Sequence, residues 1–217
     1  MTRTDTLRIT EIFHSLQGEA NTVGIPTVFV RLTGCPLRCQ YCDTAYAFEG
    51  GELLAIDDIV NRVENYDCDY VTVTGGEPLA QPNCKVLLDR LCETKKRVSL
   101  ETSGAMDITG LHEDLVVVLD VKTPGSKECN RNRYENFSLL KPLDQVKFVI
   151  CNREDYEWSR ATLELYDLHC KVADVLFSPS WEEMPVADLA QWILEDRLPV
   201  RMQTQLHKII WGSEPGR

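Results

Sequence analysis

No apolar run in the 217-residue chain approaches the roughly 20 residues that a membrane span requires. The opening stretch, MTRTDTLRIT, lacks the apolar core and small-residue cleavage site of a secretory leader. Internal repeats, low-complexity tracts and long Gly/Ser linkers are absent as well. Positive charge is scarce: 23 Lys and Arg stand against 34 Asp and Glu, a formal net charge of −11. That balance argues against a broad nucleic-acid or anionic-membrane surface, although a local basic pocket needs only a few residues. A cytoplasmic protein is the expectation, with its thiols reduced. Nine cysteines in that setting read as metal ligands and buried apolar residues, not as a disulfide framework.

What is present supports a sizeable core, since 43% of the chain is hydrophobic, and the length favours a single domain over 1–217. Seven segments read as buried strands: 27–32, 70–75, 97–104, 115–122, 145–150, 173–179 and 200–206. They are rich in Val, Ile, Leu and Phe, and many run apolar on both faces, as parallel strands covered by helices do. Amphipathic helices are predicted between them, over 57–66, 80–94, 153–168 and 185–196. Asp57 or Asp58 is placed to cap the first, Pro82 restricts the start of the second, and Pro185 sits near the first turn of the last. Strand and helix in alternation predict an α/β fold with mostly parallel strands, an open or partial barrel. Chemistry in such folds gathers at the C-terminal ends of strands. The clusters TGGEP (74–78), ETSG (101–104), DVKTPGS (120–126) and FSPSW (177–181) fall there. The charged segment 123–144 reads either as a helix-containing connection or as a flap.

Cys35, Cys39 and Cys42 lie in GCPLRCQYCDT (34–44), after the first of these strands. Three thiols at this spacing meet at one point only if the chain loops around it, and Gly34 and Pro36 suit such a loop. A structural zinc site needs four closed ligands, and no second C-x-x-C exists. An iron–sulfur cluster with three thiolates fits better, because it leaves one iron open for chemistry. Cys68, Cys84, Cys92, Cys129, Cys151 and Cys170 are dispersed and read as core or surface residues without metal.

The CPLRCQYC stretch, with aromatic Tyr41 before its last cysteine, resembles the cluster signature of radical S-adenosylmethionine (SAM) enzymes. The resemblance implies a 4Fe-4S cluster on Cys35, Cys39 and Cys42. Its open iron would bind SAM and deliver the electron that yields a 5′-deoxyadenosyl radical, so the three cysteines count as catalytic. TGGEP resembles the superfamily's motif for the methionyl amine, with Gly75 and Gly76 letting backbone approach and Glu77 offering a carboxylate to the ammonium. Tyr41, Gly104, Lys122 and Ser178 complete the implied SAM contacts.

SLQGE, FVRLTGCPLRCQYCDT, TGGEP, ETSG and the terminal MQTQLHK together resemble the 7-carboxy-7-deazaguanine synthase family over most of the chain. This implies a lyase that converts 6-carboxy-5,6,7,8-tetrahydropterin to 7-carboxy-7-deazaguanine with loss of ammonia, in 7-deazapurine (queuosine) biosynthesis. SAM is regenerated in that family, Mg²⁺ is required and the assembly is a homodimer. An external electron donor such as flavodoxin or ferredoxin is also implied, and neither nucleic acid nor membrane is. Leu16, Gln17 and Gly18 suit the flat edge of a pterin, Arg31 its carboxylate, and Thr102 carries over as a further substrate contact. Thr44 matches the family's Mg²⁺ position, although on chemistry alone Asp43 is the more obvious oxygen ligand. Two departures stand out: Ala20 replaces a common glycine after the substrate segment, and DVKTPGS replaces an SPK form. A glycyl-radical activase, sharing cluster and fold, is the alternative.

Overall fold

The computed structural model describes residues 5–212 and 214–217. Its strands are β1 (Thr6–Leu16), β2 (Pro26–Leu32), β3 (Glu52–Ala55), β4 (Tyr70–Gly75), β5 (Arg97–Ser103), β6 (Val116–Val121), β7 (Gln145–Ile150), β8 (Asp174–Pro179) and β9 (Arg201–Met202). They form one nine-stranded sheet in the order β3-β1-β2-β4-β5-β6-β7-β8-β9. From β2 to β9 every pairing is parallel, while β1 pairs antiparallel with β2 and β3. Among the described residues the two outer strands, β3 and β9, do not pair with each other, so the sheet is an open, partial barrel of mostly parallel strands, as expected.

All seven expected strands exist, but 200–206 shrinks to Arg201–Met202. Beyond it the chain turns into a short helix, α5 (Leu206–Trp211), which the periodicity did not reveal. β1 and β3 also went unread. In β1 polar Thr, Arg, Glu and His interrupt the apolar positions, as suits a half-buried antiparallel strand near a sheet edge.

The predicted helices are α1 (Ile56–Glu64), α2 (Cys84–Glu93), α3 (Arg153–Leu165) and α4 (Val186–Asp196). Asp57 and Asp58 do not cap α1: Ala55 holds that position, and the two acids favour the positive end of the helix dipole from within the first turn. α2 starts two residues past Pro82. Pro185 is the N-cap of α4. The 123–144 connection has no α-helix but three 3-10 turns, at Pro124–Ser126, Cys129–Arg131 and Tyr134–Ser138.

Strand alternation divides the sheet into two unlike faces. One face carries Val28, Val30, Val73, Leu100, Leu119, Phe148 and Phe177, all within the main hydrophobic core with the helix residues Ile59, Leu87 and Tyr156. The other carries Arg31, Thr74, Glu101, Asp120, Lys147 and Ser178, which line a cleft of about 230 Å³. The expectation of strands apolar on both faces therefore holds for one face only. Several inward positions are polar, and they face the cleft.

Candidate active site

Cys35, Cys39 and Cys42 are half-buried, free thiols on the loop after β2, and all three line the cleft. None of the six other cysteines does. Two glycines allow the loop to sit against the end of β4. A Cβ on Gly76 would meet Gly34 O at 2.3 Å, and one on Gly75, at φ +151°, would meet Leu32 O at 2.3 Å. Glu77 N donates to Gly34 O at 2.8 Å and fastens the contact. Burial pushes the Cys35 and Cys42 thiols up and Cys39 to about 11, so these groups need a cationic partner to ionise. Among the described residues, no three His, Cys, Asp or Glu side chains converge on a single-ion site. Thiols that stand apart on one loop suit a polynuclear cluster, one thiolate per iron, better than one zinc.

The neighbouring wall fits a polar ligand. Tyr41 Oη is buried with no hydrogen-bond partner among the described residues, and Tyr41 and Asp120 both line the cleft. Lys122 Nζ lies 3.1 Å from Asp120 Oδ1 and 5.8 Å from the Tyr41 ring centroid. Ser178, Gly75 and Gly76 line the same cleft. An orphaned hydroxyl inside a protein is costly, so Tyr41 marks where a ligand would bond.

Two expected SAM contacts are not brought to this wall. The Glu77 side chain, 1% exposed, turns inward. Its Oε1 accepts from Leu79 N at 3.0 Å and Thr102 Oγ1 at 2.7 Å; its Oε2 accepts from Ser103 N at 2.7 Å and Ser103 Oγ at 2.6 Å. With these four bonds the carboxylate braces the end of β4 against the end of β5. Burial raises its pKa and these bonds oppose the rise. Glu77→Gln is expected to cost about 1–3 kcal/mol, because either amide orientation sets an NH₂ against a backbone N–H that cannot rotate away. A lower urea midpoint checks this; an unchanged one contradicts it. Gly104 is the second of these residues. It lies behind the cleft lining, with its N–H on Asp120 O at 2.8 Å and its carbonyl accepting from Arg133 N at 2.8 Å.

Leu16, Gln17, Gly18, Arg31, Thr44 and Thr102 all line the cleft. Arg31 is held by its Nε on Glu11 Oε1 at 2.7 Å, with the Phe13 and Tyr46 rings each 5.7 Å away. That leaves the terminal nitrogens of its fork for a carboxylate. Gln17 spends its amide internally, donating to Thr72 Oγ1 at 3.1 Å and Glu101 Oε1 at 3.4 Å. The Thr102 hydroxyl is likewise committed to Glu77. Thr44 Oγ1 donates to Asp43 Oδ1 at 2.8 Å, which leaves its lone pairs open. Although burial would raise it, the Asp43 carboxyl is held below its ordinary range by that bond and by nearby Lys208 and His207. Ala20 takes φ +61°, the left-handed turn that glycine adopts without strain.

The largest feature missed by sequence reading is a buried charge network. Lys147 Nζ bonds Glu19 Oε2 at 2.7 Å and lies 3.2 Å from Asp120 Oδ2, with Lys122 on the other oxygen of Asp120. Burial works against the Lys147 ammonium, but Glu19, Asp120 and Glu101 outweigh it and raise its pKa well above the ordinary value. Glu19 and Asp120 are lowered in turn, their lysine partners outweighing burial. Among the described residues Glu101 has no cation at bonding distance, and burial raises its pKa. Gln205 then bridges Glu19 Oε1 at 2.9 Å to Asp43 Oδ2 at 3.1 Å. Leu206 N on Gly18 O at 2.9 Å brings the start of α5 to the substrate segment. His207 and Arg217 line the cleft, whereas Trp211 and Pro215 do not. A single charged residue within a largely apolar strand was the signal for Lys147 and for Asp120.

The comparisons agree with this geometry. The model of the radical SAM superfamily matches residues 29–171. The 7-carboxy-7-deazaguanine synthase of Koribacter versatilis is 41% identical, over 96% of this chain and 98% of its own. That of Chlorobaculum tepidum is 40% identical over 96% of each chain. Among solved structures, QueE from Escherichia coli superposes with a TM-score of 0.72 at 21% identity, covering 93% of this chain and 95% of that one, which supports the fold. Cysteine loop, sheet and near-full-length identity lead to one assignment: the chain belongs to the 7-carboxy-7-deazaguanine synthase family of the radical SAM superfamily.

Proposed function

We propose that the protein converts 6-carboxy-5,6,7,8-tetrahydropterin to 7-carboxy-7-deazaguanine with loss of ammonia, as a lyase of queuosine-type 7-deazapurine biosynthesis. The observation that carries this reading is a single cleft that joins three unbonded thiols to a braced arginine fork. Cys35, Cys39 and Cys42 would hold a 4Fe-4S cluster and Tyr41, Gly75, Gly76, Lys122 and Ser178 would flank SAM. When bound, these groups supply the 5′-deoxyadenosyl radical that abstracts a substrate hydrogen. Arg31 orients the substrate carboxylate, and the wall made by Leu16, Gln17 and Gly18 packs against the flat ring. Thr44, supported by Asp43, offers a hydroxyl oxygen to Mg²⁺, which keeps most of its ligands as water and substrate oxygen. Burial of this wall keeps water from the reacting atoms.

We further read the chain as one radical SAM core domain over 1–217, acting in the cytoplasm as a homodimer with an external electron donor of the flavodoxin or ferredoxin type. No described helix is long and apolar enough to cross a membrane. The test is an anaerobic incubation of reconstituted protein with SAM, Mg²⁺, a reductant and carboxytetrahydropterin. Formation of the deazaguanine with SAM recovered is the expected result. Cleavage of SAM with the pterin untouched would sink this reading and favour a glycyl-radical activase.

A further inference from the structure

We propose that Glu128 is a positioning residue for the cluster loop: its carboxylate holds the Arg38 peptide, so that the segment from Cys35 to Cys42 keeps a ligand-ready shape before any cluster arrives. The inference rests on the reading of those three cysteines as cluster ligands.

The connection after β6 reaches back to the cysteine loop from an anchored base. Asp155, fully buried in the first turn of α3, accepts from Gly125 N at 2.7 Å and from Cys151 N at 3.0 Å. A Cβ at Gly125 would lie 2.4 Å from Asp155 Oδ2, so the clamp closes only on glycine. From the turn it holds, Ser126 O accepts the N–H of Gln40 at 3.1 Å, and Glu128 Oε1 accepts the N–H of Arg38 at 2.6 Å. Glu128 is itself set in place, its N–H on Ser126 Oγ at 3.1 Å and its carbonyl accepting from Arg131 N at 2.9 Å.

Arg38 lies between the first two cysteines. Its guanidinium donates to Cys35 O and to Leu37 O, each at 2.7 Å, and stacks 4.2 Å from the Phe48 ring centroid. One peptide orientation therefore serves both the carboxylate below and the loop carbonyls beside it. The reach of the Glu128 side chain, which sets an oxygen acceptor 2.6 Å from that N–H, is what fixes the peptide. Without it the loop regains conformations in which the Cys39 thiol turns away, and the cost of ordering them falls on cluster binding.

The test compares wild-type protein with Glu128→Ala, Glu128→Asp and Glu128→Gln, each reconstituted anaerobically. Iron and sulfide per chain, the EPR spectrum of the reduced cluster and the rate of iron loss to a chelator are read, with circular dichroism of the apo forms as the folding control. Glu128→Ala and Glu128→Asp, whose carboxylate stops one methylene short, are expected to lose iron about 10–100-fold faster. Glu128→Gln, which keeps an oxygen acceptor for the same N–H, is expected to stay within about threefold of wild type. Should the alanine variant fail to fold, the Asp and Gln pair decides alone. Equal retention by Glu128→Asp and wild type, or loss from Glu128→Gln as fast as from Glu128→Asp, overturns this inference while leaving the cluster reading intact. Wild-type protein that takes up no iron and sulfide overturns the cluster reading and this inference with it.

Discussion

Cys39→Ala protein is expected to fold, to lack the brown absorption of an iron–sulfur cluster and to form no deazaguanine, whereas Cys151→Ala keeps both colour and activity. The contrast follows from where the two thiols stand. Cys39 lines the cleft on a loop with two other thiols, and burial keeps its proton on until a metal displaces it. Cys39 would hold one iron of the cluster, and an alanine would leave that iron without its protein ligand. Cys151 follows β7 outside the cleft lining; alanine retains its backbone N–H on Asp155 and loses only thiol contacts with Ser180, Asp155 and Glu183, none of them on the cysteine loop. Iron and sulfide analysis with the ultraviolet–visible spectrum checks the pair. Full cluster content in Cys39→Ala, or one zinc and no sulfide in wild-type protein, would remove the basis of the radical mechanism.

Lys147→Met should produce the largest loss of stability of any single replacement in the cleft, about 3–5 kcal/mol near neutral pH, the usual cost of stripping a buried ion pair of one partner. Methionine keeps an unbranched stem of nearly the same reach, with sulfur in place of one methylene, so the effect is chiefly that of losing the ammonium. Its loss leaves Glu19 with only the Gln203 and Gln205 amides, Asp120 with Lys122 alone, and Glu101 with no nearby positive field from β7. The pH dependence has a definite sign. In the wild type, Glu19 and Asp120 lie below their ordinary pKa values. The stability they contribute is present above the ordinary carboxylate range and is lost as pH falls through their folded values. The raised Lys147 contributes below the ordinary lysine range, so it is constant at acidic and neutral pH. Without the lysine, burial lifts the carboxylate pKa values, and protonation relieves part of the penalty. The gap between wild type and variant should therefore narrow between about pH 7.5 and about pH 5. Urea unfolding at the two pH values measures it; a gap that stays constant, or none at all, contradicts the network as described.

Much of the fold was readable because parallel strands announce themselves. β7 over 145–150 and β4 over 70–75 matched their apolar runs to the residue, since a strand covered by helices must be Val- and Ile-rich. β1 escaped because its apolar residues alternate with charges, and β3 because four residues carry too little pattern. Within the site, Cys35, Cys39 and Cys42 were legible from spacing, and Arg31 from its place on the strand entering their loop. The direction of Glu77 was not legible, since a carboxylate after two glycines gives no sign of which way it turns. Only the approach of the β5 end, offering two N–H groups and two hydroxyls in all with Leu79, decides that.

The sequence by itself determined the chemistry the protein can host: which thiols are close along the chain, which strands are buried, and which family the motifs resemble. Those are local facts, carried by spacing and periodicity. Tertiary structure alone decided which charges meet. Glu19 and Lys147 are 128 residues apart, and Glu19 and Gln203 are 184 apart. Side chains so distant along the chain become partners because parallel strand ends from both halves of the molecule open on one cleft, and no local pattern encodes that convergence.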